Sequence, residues 1–129
     1  MLNVGVIGIG AMGRNHVRVY SEMDNVRLVA VADSNPVSCK KFTEQYNRRA
    51  YTDYREMLAQ EKLDAVSVVV PTSLHRQVAE EVLAHSVPVL LEKPIATTHT
   101  DGRAIIAAAE KAGVLLAIGH IERFNPAIV

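Results

Sequence analysis

The fold of this chain is decided by residues 3–13, which read NVGVIGIGAMG. The first half of the stretch is almost wholly apolar, as expected for a strand that is buried on both faces of a parallel sheet. Gly8, Gly10 and Gly13 then form a G-x-G-x-x-G pattern that ends the strand and opens a helix. The bare pattern also fits an ordinary turn, but its place between a strand and a helix favours a dinucleotide-binding loop.

Each glycine of this loop has a predicted role. Gly8 permits the tight turn, Gly10 lets the backbone approach a pyrophosphate, and Gly13 lets the helix pack closely on the strand. The unpaired amides at the helix start, around Ala11 and Met12, then face the phosphates, where the helix dipole favours negative charge.

Asp33 strengthens this interpretation because it ends the second predicted strand about 20 positions after Gly13. A carboxylate there can accept both hydroxyls of an adenosine ribose, although an aspartate at this place also fits a turn or a cap. Asp33 would repel a ribose 2′-phosphate, and neither Ser34 nor Asn35 offers a guanidinium to hold one. The sequence therefore favours NAD as the cofactor over NADP.

Short apolar runs alternate with amphipathic stretches along the whole chain, which predicts a parallel sheet covered by crossover helices. The expected fold is α/β, a Rossmann-type doubly wound parallel sheet of about six strands with helices on both faces. The predicted strands are Asn3 to Gly8, Val26 to Ala32, a brief one near Ala50, Ala65 to Val70, Val87 to Leu91, and Val114 to Gly119. The predicted helices are Ala11 to Tyr20, one from Asn35-Pro36 to Tyr46, a short one capped by Asp53, one capped by Ser73 or Thr72 and ending near His85, and Asp101 to Ala112.

Composition excludes several other classes of protein. The 129 residues fit one domain, and 49% hydrophobic with 22% charged residues is ordinary for a globular protein. Fourteen basic residues balance fourteen acidic ones, which is unlike a nucleic-acid or anionic-membrane binder. Cys39 is the single cysteine and no zinc-like spacing is present, so we expect no disulfide, no metal and a cytoplasmic location.

Ligands of an open α/β sheet bind beyond the carboxyl ends of its strands, so the residues after strands four, five and six are the next candidates. After strand four come Val70, Pro71 and Thr72, with His75 in the first turn of the following helix. After strand five comes the triplet Glu92-Lys93-Pro94. We expect these loops to line one crevice.

Lys93 is the candidate catalytic residue. A lysine is usually a solvated surface charge, but at a strand end beside a cationic nicotinamide its neutral form would be favoured. A hydroxyl proton could then pass to Lys93 or a neighbour while hydride goes to the nicotinamide. Glu92 is either a salt-bridge partner of Lys93 or a polar strand end, and the Lys93-Pro94 bond is either cis or trans. His75 either touches the nicotinamide or ribose or lies on the surface.

The end of the chain adds candidates for substrate binding, namely Lys93, His120, Arg123 and Asn125, although Arg123 also fits a solvated pair with Glu122. Asn125-Pro126 repeats the N-cap and proline signal, yet only three residues follow it. We therefore expect an NAD-binding domain at residues 1–122 and, at residues 123–129, the start of a linker or helix to a missing C-terminal substrate domain.

The glycine loop, Asp33 and the loops after strands four to six resemble the Gfo/Idh/MocA family of NAD(P)-dependent oxidoreductases over the whole chain, with Glu92-Lys93-Pro94 as the most specific mark. The resemblance implies that Lys93 is the catalytic lysine, that His75 and the Pro71-Thr72 turn border the cofactor, and that Asp33 selects NAD. The stretch from Gly119 to Pro126 looks especially like the family's nucleotide-sugar 3-dehydrogenases, which act on UDP-N-acetylhexosamine-type substrates.

The resemblance further implies hydride transfer between a nicotinamide and a hydroxyl carbon of a sugar or nucleotide sugar, in a full-length protein that is a homo-oligomer. Family members continue into an open-faced α/β domain that carries most substrate contacts and a catalytic Asp or His. Since this sequence stops where that domain should begin, we expect the chain to bind NAD weakly without turnover.

Two other functions fit parts of the pattern. A free-standing Rossmann domain could sense NAD(H) or dock a partner without chemistry. An adenosylmethionine-dependent methyltransferase also uses a glycine loop and an acidic residue after strand two. A methyl donor has no pyrophosphate for the helix amides, however, and methyl transfer does not explain the Lys93-Pro94 corner.

Overall fold

A computed structural model describes residues 1–119 of the chain and confirms the predicted fold class. Within those residues a six-stranded, all-parallel sheet has the order β3-β2-β1-β4-β5-β6. The strands are β1 (Leu2–Ile7), β2 (Val26–Ala32), β3 (Arg49–Tyr51), β4 (Ala65–Val68), β5 (Val89–Leu91) and β6 (Leu116–Ile118). The helices are α1 (Ala11–Glu22), α2 (Pro36–Tyr46), α3 (Tyr54–Gln60), α4 (His75–Ala84) and α5 (His99–Ala112), with a 3₁₀ turn at Thr72–Leu74 before α4.

Two apolar cores cover the two faces of the sheet. On one face Val4, Val6 and Val31 pack against Val17 of α1 and Phe42 of α2. On the other face alternate strand residues pack against α3, α4 and α5, through side chains that include Ile7, Val68, Met57, Leu83 and Ile105. Each fully buried aliphatic side chain contributes about 1.5–3 kcal/mol, and so apolar residues on both faces of β1 and β4 hold these strands at the centre.

Helix ends follow local chemistry where a capping side chain is present. Asn35 caps α2 by accepting from the Val37 N–H at 3.0 Å, and Pro36 takes the first helical position, as predicted. Thr98 accepts from the Asp101 N–H at 3.1 Å, so α5 begins at His99, two residues before the predicted start.

The predicted cap of α4 is wrong. Neither Thr72 nor Ser73 caps it, because the Leu74 N–H bonds the Pro71 carbonyl at 2.8 Å and closes a 3₁₀ turn first. The helix then begins at His75 without a side-chain cap.

Three strands are shorter than predicted, because backbone hydrogen bonding to the neighbouring strand ends earlier or begins later than the apolar run. β4 ends at Val68 because its neighbour β1 turns away at Gly8. β5 begins at Val89, after Pro88, which has no N–H to donate to a ladder. Within residues 1–119, β6 pairs with β5 alone, and the three residues of β5 limit its length.

The strand order reverses between β1 and β4, which creates a crevice at their carboxyl ends. The loops that carry Gly8, Asp33, Val70 and Lys93 all lie at this edge of the sheet, because every strand is parallel. The topology therefore brings the predicted site residues to one side of the molecule.

Among the helices of residues 1–119, none combines the length and the hydropathy needed to cross a membrane. In the same part of the chain, no three His, Cys, Asp or Glu side chains are grouped so that they could hold a metal ion.

Candidate functional site

The glycine loop has the backbone geometry that its residue types predict. Gly8 has a φ of +92°, and a Cβ added there would lie 2.3 Å from the carbonyl oxygen of Val69. A Cβ added at Gly13 would lie 1.8 Å from the carbonyl oxygen of Gly8. Both distances are far inside van der Waals contact, so the turn and the start of α1 close only when these two residues are glycine.

Gly10 differs from the other two glycines because its environment is open. A Cβ added there meets nothing within 4 Å, and its backbone forms the N-cap of α1 without any capping side chain. The first amides of α1, at Ala11 and Met12, have no partners within the helix and lie at the positive end of its dipole. The loop is therefore a backbone cradle for an anionic group.

Asp33 is joined directly to this cradle. One oxygen of its carboxylate, Oδ2, accepts the backbone N–H of Ile9 at 2.8 Å, and the other, Oδ1, accepts that of Asn35 at 2.8 Å. A carboxylate offers about four acceptor positions, so each oxygen retains one for a further donor. The half-buried Asp33 can thus hold the loop and accept a ligand hydroxyl at the same time.

A cavity of about 480 Å³ joins the glycine loop to the ends of β2, β3 and β4. Its lining includes predicted cofactor residues from three separate loops, which are Gly8, Gly10, Asp33, Ser34, Val70 and Pro71. The wall near β4 is apolar and includes Leu74 and Val78. The cavity therefore combines an apolar wall near β4, an open backbone loop and the charged residues Asp33, Asp53 and Arg55.

One wall of this cavity, residues 52–55, was not among the predicted site residues. Residues 52–55 follow the edge strand β3 and form part of the lining. The strand-end rule that selected the loops after β4, β5 and β6 would also have selected this segment. Two larger depressions, of about 750 and 640 Å³, do not include Asp33 in their linings, although the second shares Gly10 with the smaller cavity. We place the candidate site at the smaller cavity because it contains both Asp33 and Gly10.

Lys93 lies at the end of β5 and is exposed, with a cis peptide bond to Pro94. It is not among the residues that line the 480 Å³ cavity, although it lies at the same edge of the sheet. Ala11, Met12, Thr72 and Pro94 are likewise outside that lining. The structure thus separates the cavity that contains Asp33 from a neighbouring corner that presents Lys93.

Glu92 has a partner that the sequence analysis did not predict. Its Oε1 lies 2.6 Å from Nε2 of His16, and both side chains are buried. His16 is on α1, one turn after Gly13, and makes an edge contact with the ring of Tyr20. A histidine on the apolar face of a predicted helix was the available signal, because a buried polar side chain requires a partner.

His75 is not a surface residue, so that alternative is wrong. Its ring is fully buried, with Nδ1 3.0 Å from the carbonyl oxygen of Ile95 and Nε2 3.1 Å from that of Val70. Both ring nitrogens therefore face backbone carbonyl oxygens, and a neutral ring donates to one of them. His75 lies beneath the loops that follow β4 and β5 and joins them.

Cys39 is buried next to the carboxyl ends of β2 and β3. Its Sγ contacts the carbonyl oxygens of Asp33 at 3.3 Å and Tyr51 at 3.5 Å. Burial raises the pKa of the Cys39 thiol, which a hydrogen bond to the Asp33 backbone partly opposes. The thiol is thus a donor that supports the turn carrying Asp33.

Residues 2–120 match the family model of the Gfo/Idh/MocA proteins, described as an oxidoreductase family with an NAD-binding Rossmann fold. The chain belongs to the Gfo/Idh/MocA family. This confirms the resemblance that the glycine loop, Asp33 and Glu92-Lys93-Pro94 indicated.

Individual Gfo/Idh/MocA proteins are similar over nearly all of this chain. A UDP-N-acetylglucosamine 3-dehydrogenase of Acidithiobacillus ferrooxidans is 37% identical over 127 residues, which are 98% of this chain and 39% of that protein. A D-apiose dehydrogenase of Paraburkholderia graminis is 33% identical over 95% of this chain and 33% of its own length. The WlbA dehydrogenase of Bordetella pertussis, crystallised with NADH and UDP-GlcNAcA, has a TM-score of 0.91 at 30% identity, over 98% of this chain and 39% of its own.

The chain spans less than two fifths of the length of these Gfo/Idh/MocA relatives. The predicted substrate residues His120, Arg123 and Asn125, the helix signal at Asn125-Pro126 and the boundary at residue 122 all lie outside the described residues. Within residues 1–119, the candidate site therefore consists of the cavity beside the glycine loop and the adjacent corner that carries Lys93.

Proposed function

We propose that this chain binds NAD in the crevice between β1 and β4, as the cofactor-binding part of a dehydrogenase. The observation that carries the proposal is that Asp33 and the open Gly10 backbone line one cavity. In this arrangement the amides of the glycine loop and of Ala11 and Met12 hold the pyrophosphate, since Gly10 leaves room for it. Asp33 accepts the hydroxyls of the adenosine ribose.

The other loops at this edge of the sheet fit the other parts of the cofactor. Ser34 and residues 52–55 lie on the adenosine side, next to Asp33. Val70, Pro71 and Thr72 follow β4, toward the nicotinamide side, where Glu92, Lys93 and Pro94 follow β5. His75 borders the cofactor from below through the carbonyl groups of Val70 and Ile95.

Asp33 also supports NAD as the preferred cofactor over NADP. Its carboxylate is fixed by two backbone N–H groups and cannot swing away from a 2′-phosphate without losing both bonds. A phosphate placed there would meet a negative charge in a partly buried setting. The structures of relatives crystallised with NADH or NAD⁺ agree with this preference.

The proposed reaction is hydride transfer between the nicotinamide and a hydroxyl carbon of a sugar or nucleotide-sugar substrate. Bound NAD supplies the hydride acceptor, and Lys93 accepts the hydroxyl proton at its Nζ. Lys93, His120, Arg123 and Asn125 are the proposed substrate contacts of this chain. Similarity to proteins named as UDP-N-acetylglucosamine 3-dehydrogenase and WlbA dehydrogenase supports the nucleotide-sugar class.

We further propose that residues 1–122 form the cofactor domain, and that residues 123–129 lead to a C-terminal substrate domain of the whole protein. The chain alone then binds NAD without turnover. The whole protein is proposed to be a cytoplasmic homo-oligomer, where a free buried cysteine such as Cys39 remains reduced.

A binding titration tests the proposal. We expect the 129-residue chain to bind NAD, to bind NADP more weakly, and not to bind adenosylmethionine. No measurable NAD binding would overturn the proposed function. Dehydrogenase activity of the chain alone would contradict the proposed division between two domains.

A non-catalytic NAD(H)-sensing module is the second candidate, because Lys93 does not line the cavity that contains Asp33. Turnover by the whole protein with Lys93 replaced separates the two functions.

A further inference from the structure

The exposed pair Lys93-Pro94 lies between two residues that are each held by a buried histidine. Before the pair, the Glu92 carboxylate bonds His16 of α1. After the pair, the Ile95 carbonyl oxygen lies 3.0 Å from Nδ1 of His75 of α4. We call residues 92–95 the lysine arch. It is anchored at both ends by side chains from helices that border the cofactor cavity.

The His16 anchor is well shielded from water. His16 has 0% and Glu92 8% of its surface exposed, and the Nε2 to Oε1 distance is 2.6 Å. Nδ1 of His16 is buried and has no hydrogen-bond partner among residues 1–119. Because only Nε2 faces an acceptor, the proton belongs on Nε2, which donates to the Glu92 carboxylate. An unused lone pair on Nδ1 costs less than an unused N–H would.

This bond restrains Glu92 strongly. Loss of a hydrogen-bond donor to a buried carboxylate is costly, because the charge stays in a poorly polarisable setting with one bond fewer. Glu92 therefore cannot turn toward solvent without losing its bond to His16. The restraint acts on the residue that directly precedes Lys93.

The His75 anchor acts on the other side of the arch. His75 is also 0% exposed, with Nε2 facing the Val70 carbonyl on the β4 loop and Nδ1 facing the Ile95 carbonyl on the arch, and a neutral ring donates to one of the two. The distance between Nε2 and the Val70 oxygen is 3.1 Å. The ring thus joins the arch to the loop that forms the wall of the cofactor cavity.

We propose that His16 and His75 are positioning residues for Lys93. They fix the two ends of the lysine arch, so that an exposed and otherwise flexible lysine begins from one backbone position relative to the nicotinamide. The role of Lys93 in this inference rests on the proposed function, whereas the anchoring of the arch does not. Displacement of a catalytic group by about 1 Å can lower a rate by about 100-fold, so the anchors matter for catalysis.

Asparagine and glutamine test the two anchors with opposite expectations. An Asn side chain places its amide nitrogen near Nδ1 of histidine, whereas Gln reaches to near Nε2. At position 16 the Nε2 bond is the one that holds the arch. At position 75 we assign the proton to Nδ1, which makes the shorter contact and donates to the Ile95 carbonyl of the arch, while Nε2 faces the Val70 carbonyl. His16→Gln and His75→Asn should therefore keep the arch, and His16→Asn and His75→Gln should release it.

The first readout is amide hydrogen exchange of Lys93, Ile95 and Ala96 in the 129-residue chain. We expect His16→Asn and His75→Gln to speed this exchange by about tenfold relative to their partners, at similar thermal midpoints. Val17→Ala is the matched control, because Val17 is a buried neighbour on α1 that packs in the apolar core. It should destabilise the chain without a selective effect on the arch.

The second readout is kinetics of the whole protein. We expect His16→Asn and His75→Gln to lower kcat by about 10- to 100-fold while KM for NAD changes by less than about threefold. His16→Gln and His75→Asn should recover most of kcat. A purely structural role would instead lower the thermal midpoint in all variants and leave kcat of the folded fraction unchanged.

The outcomes separate the inference from the proposed function. The same order of Asn and Gln at both positions, or no selective exchange in the arch, overturns the anchoring. If His16→Asn does not fold, Glu92→Met carries the test, because it keeps a similar side-chain length and removes the acceptor of the His16 Nε2–H. Unchanged exchange and kcat in Glu92→Met would then overturn the proposal. Failure of the chain to bind NAD would overturn the proposed function and leave the exchange result standing.

Discussion

Asp33 and Ile9 are joined across 24 positions of sequence, with the Asp33 Oδ2 accepting the Ile9 N–H at 2.8 Å. The residue proposed to hold the ribose therefore also fixes the glycine loop that is proposed to hold the pyrophosphate. Because one carboxylate connects the two halves of the site, its removal should affect loop stability and cofactor selection together.

Asp33→Ala should change cofactor selection. Loss of the charge removes the repulsion of a 2′-phosphate, so the ratio of NAD to NADP affinity should fall by about tenfold or more. The unpaired Ile9 N–H should also lower the free energy of unfolding by about 1–3 kcal/mol. Calorimetric titration with both cofactors and urea unfolding measure these effects.

Asn35→Ala is the control for that prediction. It removes the α2 cap, in which the Asn35 side chain accepts the Val37 N–H, and should cost about 1 kcal/mol without changing the cofactor ratio. An unchanged ratio in Asp33→Ala would contradict the role of Asp33 in selecting NAD.

Gly10→Ala should separate binding from folding. A Cβ at this position meets no atom within 4 Å, so the free energy of unfolding should change by less than about 1 kcal/mol. The methyl group would occupy space proposed for the pyrophosphate, and NAD affinity should therefore fall by about tenfold or more. Gly13→Ala is the contrasting variant, because its Cβ would lie 1.8 Å from the Gly8 oxygen and should disrupt the fold. Full NAD affinity in Gly10→Ala would place the pyrophosphate elsewhere.

Lys93→Ala should distinguish an enzyme from a sensing module. Lys93 is exposed and does not line the cavity, so NAD affinity should remain within about threefold of the parent. Turnover of the whole protein should fall by about 10²- to 10⁴-fold if Lys93 accepts the hydroxyl proton. Lys62→Ala is the control, because Lys62 is also exposed and lies just before β4, at the opposite edge of the parallel sheet. Equal turnover in both variants would favour another base.

Cys39 should react slowly with thiol reagents in the native chain. Burial raises the pKa of this thiol, so at any pH below that pKa a smaller fraction is the reactive thiolate than in an ordinary cysteine. The rate of reaction with a disulfide reagent should rise when the chain is unfolded in urea, and the native rate should increase only at a higher pH than the unfolded rate. A native rate equal to the unfolded rate would show that Cys39 is accessible.

Local patterns accounted for much of the fold. The strand, glycine loop and helix at residues 3–13 are defined by neighbours in sequence, as are the caps at Asn35 and Asp53 and the stop at Gly113. The errors occurred where backbone hydrogen bonds, and not the hydrophobic pattern, set the end of an element. β4 is shorter than predicted because β1 turns away at Gly8. α4 begins later than predicted because the Leu74 N–H bonds the Pro71 carbonyl.

The sequence by itself determined the parallel α/β sheet, the glycine loop at Gly8–Gly13 and the place of Asp33 at the end of β2. These features depend on chain direction and on contacts near a strand end. Only the tertiary structure decided the partners of the buried polar groups. His16 and Glu92 are 76 positions apart, and neither identity nor spacing in the sequence indicates that they meet. Buried groups must find hydrogen-bond partners wherever packing brings them together, so that pairing is a property of the folded molecule.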